Sequence, residues 1–285
     1  MRYAVNSEYE PLRDVLLGSI RNFTMNVPIN STQEHYYAVD PPKIERLIEQ
    51  ENTFIETLER LGVTVHQLPL MATSFTQFFA RDIAAVIGET VVVCAMKKDI
   101  RKPETAALEQ LLRDVENRIL RVENGFLEGG DILIDKSAIY VGLGERTNAE
   151  GLAFVERHFG DAYEIIPLKM ADTFLHLDVV FNLLGRGDAL VYPPALERSS
   201  LEILAQRYQL IEVTAEEQFN LATNVLSVTP ETIIADDRNT RLNELLAEKG
   251  YEVIPLAFDE IGKMGGSFRC GSCPLRRESE FGGTI

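Results

Sequence analysis

The 285-residue sequence contains no tryptophan and three cysteines, and it lacks both an excess of positive charge and long apolar runs. No run approaches the roughly 18 apolar residues of a membrane-spanning helix, and the N-terminus shows no apolar targeting segment. Cys94, Cys270 and Cys273 are too sparse, and odd in number, for a disulfide framework. We therefore predict a protein that works without disulfides in a reducing, cytoplasmic compartment.

The formal net charge of −16 disfavours functions that need a basic surface. Nucleic acids and anionic lipids bind clusters of Lys and Arg, so neither nucleic acid nor a membrane is an expected partner. A cationic small molecule would be attracted, although an acidic surface can also serve solubility alone. With 45% hydrophobic residues the chain can bury a large core, and we expect a single catalytic domain over residues 1–285 that could form a homo-oligomer.

Polar residues recur along the chain at a nearly constant step, each beside a short apolar run. They lie 49, 47, 46 and 46 residues apart, at Asp82, Asp131, Asp178, Asn224 and Cys270. Such a period predicts one supersecondary unit that is used five times. Each unit is predicted to contain a strand opened by the polar residue, a second strand, an amphipathic helix and a closing strand.

The apolar patterns predict element boundaries. The second unit should run 131–134, 138–141, 149–158 and 163–167, the third 178–183, 188–192, 195–208 and 209–213, and the fourth 224–228, 232–235, 240–249 and 251–255. After Cys270 only one strand remains, so the fifth unit must borrow a strand over 13–18, a helix over 42–61 and a strand over 63–68. Joining the two ends predicts an α/β fold, a five-bladed pseudosymmetric α/β propeller of ββαβ repeats around a central site.

In such a ring the first residue of each first strand points to the axis, so the five polar residues should converge. Buried polar groups are costly unless they bind one another or a ligand, and a cleft with several carboxylates suits a cation. Asp131 has an alternative explanation, because a Gly-Gly-Asp turn can place a carboxylate on backbone N–H groups.

Cys270 is the candidate nucleophile, because glycines and an arginine precede it. Gly265 and Gly266 allow close backbone approach to a ligand, and the charge of Arg269 could favour the thiolate. Taken alone, the stretch also fits a buried packing cysteine, a redox pair or half of a zinc site with Cys273. No second Cys-x-x-Cys supports zinc, and three residues is an odd step on a strand, so Cys273 should point away from Cys270 and serve packing.

Short motifs accompany these positions: Arg81-Asp82, Glu128-Gly-Gly-Asp131, Glu145-Arg-Thr-Asn148, His176-Leu-Asp178 and Arg269-Cys270. Together they resemble the guanidino-group modifying enzymes. This pentein superfamily includes arginine deiminases, dimethylarginine dimethylaminohydrolases and amidinotransferases. The resemblance extends over nearly the whole chain.

The resemblance implies a catalytic set of Cys270, His176 and Glu128. Cys270 would attack the central guanidino carbon, His176 would act as general acid and base, and Glu128 would pair with His176. A guanidinium carbon is poorly electrophilic, so it must be oriented by carboxylates and met by a strong nucleophile such as a thiolate. The positive charge of the substrate would lower the thiol pKa on binding. Neither a metal nor a cofactor is expected.

The resemblance also implies a substrate-binding set. Asp82 and Asp178 would hold the guanidinium nitrogens, and Arg101 and Arg146 would hold the substrate α-carboxylate. Three further polar residues would line the site: Asp131, Asn224 and Arg81.

The remaining histidines are less informative. His66 on a predicted closing strand and His158 at a predicted helix end are expected to serve packing or capping. His35 lies in the stretch 23–39, which is predicted to be a loop before the first helix and could act as a lid.

The branch within the superfamily is open on sequence. Gly271 stands where amidinotransferases have a tryptophan, Gly265 where arginine deiminases have an arginine, and Arg81 where dimethylarginine dimethylaminohydrolases have an acidic residue. The first hypothesis is a hydrolase that cleaves a C–N bond of arginine, a methylarginine or citrulline, and it is favoured because little chain is left to shield an intermediate from water. An amidinotransferase is the alternative. A non-catalytic binding protein is a third, disfavoured by the intact catalytic set.

Overall fold

The computed structural model describes residues 2–71 and 76–278, and these residues form five three-stranded sheets. The strands are β1 (Leu12–Leu17), β2 (Thr64–Gln67), β3 (Ala84–Ile87), β4 (Thr90–Val93), β5 (Arg118–Arg121), β6 (Ile132–Asp135), β7 (Ala138–Leu143), β8 (Glu164–Lys169), β9 (Phe181–Gly185), β10 (Asp188–Val191), β11 (Gln209–Glu212), β12 (Leu226–Ser227), β13 (Thr232–Asp236), β14 (Glu252–Leu256) and β15 (Ser272–Arg277).

Helices connect the second and third strands of each sheet, and shorter ones lie in the loops. They are α1 (Ser31–Val39), α2 (Ile44–Arg60), α3 (Ala80–Ile83), α4 (Glu104–Leu111), α5 (Ala149–Phe159), α6 (Arg198–Ala205), α7 (Ala215–Phe219), α8 (Thr240–Glu248), α9 (Asp259–Gly262) and α10 (Phe268–Gly271). Short 3-10 turns cover Asp99–Arg101, Leu112–Asp114, Gly129–Asp131, Leu177–Val179 and Pro193–Ala195.

All five sheets share one topology. The middle strand pairs antiparallel with the first strand and parallel with the third, as β7 does with β6 and β8. In the sheet formed from both chain ends, β1 is the middle strand and pairs antiparallel with β15 and parallel with β2. The predicted five-bladed α/β propeller, closed by the two termini, is confirmed.

The polar residue of each unit precedes the first strand and does not open it, which corrects the prediction. The strands predicted to begin at 131, 178 and 224 begin at Ile132, Phe181 and Leu226. The cause is a helical turn at each position, in which the backbone N–H of Asp131 bonds to the carbonyl of Glu128 and that of Asn224 to the carbonyl of Leu221. These N–H groups are therefore not available to a sheet.

The longest helix, α2, supports the segment that carries Cys270. Leu47, Phe54 and Leu58 form its buried stripe at helical spacing. The ring of Phe54 lies 5.5 Å from that of Phe258 and 5.3 Å from that of Phe268, which opens α10. Burial of each phenyl group stabilises the fold by about 1.5–3 kcal/mol, so this aromatic cluster holds α10 in place.

The two cysteines near the C-terminus point to different cores. Cys270 belongs to the cluster that includes Phe54 and Phe268, whereas Cys273 packs in a second cluster with Ala84 and its thiol lies 3.4 Å from the carbonyl of that residue. The two side chains point apart as predicted, but not for the predicted reason, because Cys270 lies in α10 and only Cys273 is on a strand. No helix within residues 2–71 and 76–278 is both long enough and apolar enough to cross a membrane.

Candidate active site

The predicted catalytic residues meet in a buried cluster. His176 Nε2 lies 2.7 Å from a carboxylate oxygen of Glu128, and His176 Nδ1 lies 3.6 Å from Asp82. Burial alone would lower the pKa of His176, but the carboxylates of Asp82, Glu128 and Asp131 outweigh it and raise the pKa above its ordinary value. The imidazole is thus held as a cation that can donate a proton.

The two glycines of the Glu-Gly-Gly-Asp motif make this approach possible. A Cβ at Gly130 would come within 2.8 Å of the His176 ring and 3.0 Å of Asp82, and one at Gly129 would come within 2.1 Å of the carbonyl of Arg81. A side chain at Gly130 would therefore push the ring and the carboxylate apart, and one at Gly129 would displace the backbone that carries Asp82.

Cys270 and Asp82 line the same small cavity. The Cys270 thiol lies 3.5 Å from a carboxylate oxygen of Asp178. Burial, followed by the charges of Asp178 and Asp82, raises the pKa of the Cys270 thiol well above its ordinary value. Arg269 acts in the opposite direction but is outweighed. Its guanidinium is paired with Asp178 at 2.7 Å and Glu8 at 3.1 Å. The expected effect of Arg269, which favours the thiolate, is therefore present, but burial and the two aspartates dominate the pKa of the thiol.

Arg101 is buried in a network of carboxylates. It donates to Asp82 at 2.6 Å and to Glu104 at 2.8 Å, and it lies 4.0 Å from Glu128. Asp82 therefore already contacts a guanidinium of the protein.

Arg146 is fully buried beside Arg101. It donates to Glu128 at 3.3 Å, to the backbone carbonyl of Ile29 at 2.8 Å and to Glu145. Arg101 and Arg146 both line the inner cavity, where the sequence placed a carboxylate site.

Asp131 and Asn224 use their side chains on the backbone of neighbouring loops. Asp131 accepts hydrogen bonds from the N–H of Leu177 at 2.8 Å and from the hydroxyl of Thr147 at 2.6 Å. Asn224 accepts from the N–H groups of Ser267 at 3.1 Å and Cys270 at 3.0 Å. The two side chains thus fix the residue after His176 and the nucleophile itself.

Arg81 is buried near the site but does not line the inner cavity. Its guanidinium is 3.4 Å from Glu8, and its Nε donates to the carbonyl of Arg269 at 3.4 Å. Burial, with the charge of Arg269, lowers the pKa of Arg81.

An inner cavity lies between these groups and leads to a larger cleft. The inner cavity has a volume of about 10 Å³, about the space of one water molecule. Asp82, Arg101, Arg146 and Cys270 line it. It shares residues including Asn30 with an outer cleft of about 470 Å³. Among the described residues, Asp82 Oδ1 and His176 Nδ1 are buried without a hydrogen-bond partner.

The stretch 23–39 includes α1, so His35 is helical and not in a loop as predicted. Asn30 and Gln33 of this stretch line the inner cavity. Asn30 caps this helix and donates to the carbonyl of Met264 at 3.3 Å, and Gln33 donates to the same carbonyl at 2.9 Å. Gly265 has a φ of +93°, and a Cβ there would lie 2.6 Å from the amide nitrogen of Asn30. Residues Met264 and Gly265, which precede Cys270, are therefore in direct contact with the start of α1.

The other histidines occupy packing positions. His66 on β2 pairs with Asp14 at 2.9 Å, and His158 in the last turn of α5 lies against Phe154 with ring centroids 4.6 Å apart.

Asp82, Glu128 and His176 also offer atoms within 4.8 Å of one another, a spacing that could hold a metal ion. The donor set fits a metal poorly. Arg101 and Arg146 already place two guanidinium groups on these carboxylates, and the raised pKa of His176 keeps the proton that a metal would have to displace.

Two residues that contact the arginines of this site were missed by sequence reasoning. Glu104 lies three residues after Arg101 at the start of α4, so the helical i,i+3 spacing was an available signal. Glu8 lies in an N-terminal stretch without a motif, and no sequence signal connects it to Arg269, 261 residues away.

Comparisons with known proteins match this chain to one family and its relatives. A family model described as "N,N dimethylarginine dimethylhydrolase, eukaryotic" matches residues 20–277. Uncharacterized protein YkgA of Bacillus subtilis (strain 168) is 37% identical over 271 residues, which cover 95% of this chain and 94% of YkgA. An arginine deiminase of Mycolicibacterium gilvum (strain PYR-GCK) is 28% identical over 242 residues, 70% of this chain, and the match spans 60% of that deiminase.

Solved structures share the fold. SxtG, an amidinotransferase from Microseira wollei, superposes with a TM-score of 0.86 at 19% identity and 99% coverage of both chains. The N-terminal domain of ArgZ, an arginine dihydrolase from cyanobacteria, superposes with a TM-score of 0.85 at 24% identity, covering 94% of this chain and 98% of that one.

Proposed function

Because this chain belongs to the N,N dimethylarginine dimethylhydrolase family within the pentein superfamily, we propose that it is a cysteine-dependent hydrolase of a C–N bond at the guanidino or ureido carbon of arginine, a methylarginine or citrulline. The observation that carries the proposal is that Cys270 and Asp82 line one cavity, with Asp178 3.5 Å from the Cys270 thiol and the His176–Glu128 pair 3.6 Å from Asp82.

Asp82 and Asp178 hold the substrate guanidinium with its central carbon facing Cys270. The free oxygen of Asp82 and Nδ1 of His176 are both short of hydrogen-bond partners within the described residues, and a cationic N–H donor would satisfy the first of them. Since the same carboxylates raise the pKa of the thiol, a bound cation that neutralises them lowers it again. The nucleophile is thus activated by its own substrate.

The reaction then follows from the positions of the groups. The thiolate forms a C–S bond to the guanidino carbon, the C–N bond to the leaving amine breaks, and the imidazolium of His176 gives that amine its proton. The product of this step is a covalent thiouronium intermediate. For a guanidino substrate, water attacks the same carbon and gives one proton to the neutral His176, and the C–S bond breaks to release the thiolate and a ureido product. The second proton of the water leaves with the released amine or solvent.

Asp131, Asn224 and Arg81 are positioning residues in this scheme. The first two hold the backbone beside His176 and at Cys270, and Arg81 supports the charge network below the cavity. Arg101 and Arg146 bind the substrate α-carboxylate, for which Arg101 turns away from Asp82 as the substrate guanidinium takes its place.

Amidino transfer to an amine acceptor is the alternative reaction, favoured by the amidinotransferase SxtG among the structural neighbours. The names of the arginine deiminase and arginine dihydrolase relatives support hydrolysis. A non-catalytic binding protein is a second alternative, against which the intact thiol and His176–Glu128 pair argue.

A product assay on arginine, monomethylarginine, dimethylarginine, citrulline and agmatine, with and without glycine, lysine or ornithine, separates these reactions. We expect ammonia, an alkylamine or a ureido product to appear with water alone, and no rate gain from an added amine. A new guanidino compound that accumulates in step with an acceptor amine would establish transfer. Tight binding of the panel without any turnover would establish the binding protein.

A further inference from the structure

The N-terminal segment 4–12 crosses the ring of sheets and touches each of them. It contacts the sheets through the bridges Ala4–Arg276, Val5–Gly88 and Ser7–Asp135, through the approach of Tyr9 to Gly185 and through the hydrogen bond from Leu12 to the carbonyl of Val228. The segment therefore spans the central axis. Its middle residue, Glu8, is buried and does not line the cavity.

A continuous chain of charged contacts leads from Glu8 to the nucleophile. The carboxylate of Glu8 lies 3.1 Å from Nη2 of Arg269, and Nη1 of the same guanidinium lies 2.7 Å from Asp178. The Cys270 thiol is 3.5 Å from the oxygen of Asp178 that Arg269 contacts. Each of these four side chains is at most 5% exposed, so their mutual orientation is not averaged by water.

Charges from several elements face the two ends of this chain of contacts. Glu8 is faced by Arg269 of α10, Arg81 of α3 and Arg277 of β15, whose charges outweigh burial and hold the pKa of Glu8 below its ordinary value. Cys270 is faced by Asp178 and by Asp82 of α3, with Arg269 on its own helix. Glu8 is consequently ionised and separates the like charges of Arg81 and Arg269.

We propose that Glu8 is a positioning residue of the active site, which orients Arg269 and thereby holds Asp178 toward Cys270 and the substrate guanidinium. Nη1 of Arg269 contacts one oxygen of Asp178, while Nη2 is shared between Glu8 and the carbonyl of Ile132 at 2.7 Å, so the other oxygen of Asp178 stays open. Without Glu8, the guanidinium can turn both Nη groups onto Asp178 in a bidentate pair, which occupies the oxygen that the substrate needs. The substrate part of this inference rests on the proposed function.

The test measures the pH midpoint of Cys270 alkylation by iodoacetamide, read by peptide mass spectrometry on the substrate-free protein, together with KM and kcat. Glu8→Gln keeps the side-chain volume and removes the negative charge. We expect its alkylation midpoint to fall by about one pH unit, because Arg269 is no longer compensated, and its KM to rise about tenfold with a smaller change in kcat. Glu8→Asp, which keeps the charge but retracts it, should lie between wild type and Glu8→Gln.

Tyr9→Phe is the matched control. It removes the 2.6 Å hydrogen bond from the same segment to Asp135 but does not touch Arg269, so its midpoint and KM should match wild type. A midpoint and KM unchanged in Glu8→Gln, or equal shifts in Tyr9→Phe, would overturn the proposal. If Glu8→Gln does not fold, wild-type values in Glu8→Asp would do the same. Absence of any turnover on guanidino compounds would remove the proposed function, whereas the alkylation midpoint would still decide the role of Glu8.

Discussion

Arg101 donates a 2.6 Å hydrogen bond to Asp82, so the carboxylate that we propose holds the substrate guanidinium contacts a guanidinium of the protein. Arg101 also pairs with Glu104 at 2.8 Å, so it keeps one carboxylate partner if it leaves Asp82. In the proposed reaction, the substrate would therefore compete with Arg101 for Asp82, and the released arginine would bind the substrate carboxylate.

This exchange predicts a strong preference for substrates with an α-carboxylate. Agmatine, which keeps the guanidinium but lacks the carboxylate, should be used about 30- to several-thousand-fold less well than arginine, since loss of one charged buried contact costs roughly 2–5 kcal/mol. In Arg101→Ala the ratio of kcat/KM for arginine to that for agmatine should shrink at least about tenfold.

Arg121→Ala, which removes an exposed arginine paired with Glu109, is the control and should keep the wild-type ratio. Equal turnover of agmatine and arginine by the wild type would refute the carboxylate assignment and indicate a decarboxylated substrate.

The two cysteines of the C-terminal motif should differ sharply on substitution. Cys270→Ser is expected to abolish turnover while substrate binding, measured by calorimetry, persists, because Asp82 and Asp178 do not depend on the thiol. Cys273→Ala should lose at most a few-fold in rate, since this residue packs in a separate core. Near-normal turnover in Cys270→Ser would remove the thiol from the mechanism, and complete loss in Cys273→Ala would support a redox pair.

The pH profile of kcat/KM should report the His176–Glu128 pair. Glu128 helps to raise the pKa of His176, so Glu128→Gln should lower that pKa and move the basic limb of the profile to lower pH. The accompanying loss of rate should be about 10²-fold or more, because the proton donor is less often protonated and less well oriented. Glu109→Gln, on the exposed surface, is the control. A basic limb at the same pH in Glu128→Gln would show that His176 is not the group that titrates.

Asp131 should make the stability of the protein depend on pH. Burial raises the pKa of Asp131 to about 7, whereas an unfolded aspartate has a pKa near ~4. The folded state therefore favours the protonated form, and this contribution to stability is fully present below about pH 4 and is lost as pH rises through 7.

In urea unfolding, the free energy of unfolding of Asp131→Asn relative to wild type should accordingly increase between pH 5 and pH 8, by up to about 2.6 kcal/mol. The asparagine stays uncharged and can still accept from the N–H of Leu177. A difference between the two proteins that does not change with pH would contradict the raised pKa.

The sequence by itself determined the architecture. The step of 46 to 49 residues and the alternation of strand and helix patterns predicted five units and closure by the two ends, and the observed strands agree to within a few residues. Secondary structure and its repetition are encoded in local patterns of apolar residues, so they can be read along the chain. The grouping of Cys270 with the aspartates also followed from the repeat, because equivalent positions of a propeller face one axis, whereas His176 and Glu128 were assigned by the family resemblance.

Only the tertiary structure decided which charge pairs with which. Arg269 follows the motif pattern in sequence, yet its partners are Asp178, 91 residues away, and Glu8, from a segment without any motif. Likewise, Arg101 pairs with both Asp82 and Glu104. Several carboxylates and arginines meet at the axis, and the sequence does not distinguish which of them pair. The pairing depends on distances and burial, which the packing of all five sheets sets. That physical information does not exist in any local stretch of the chain.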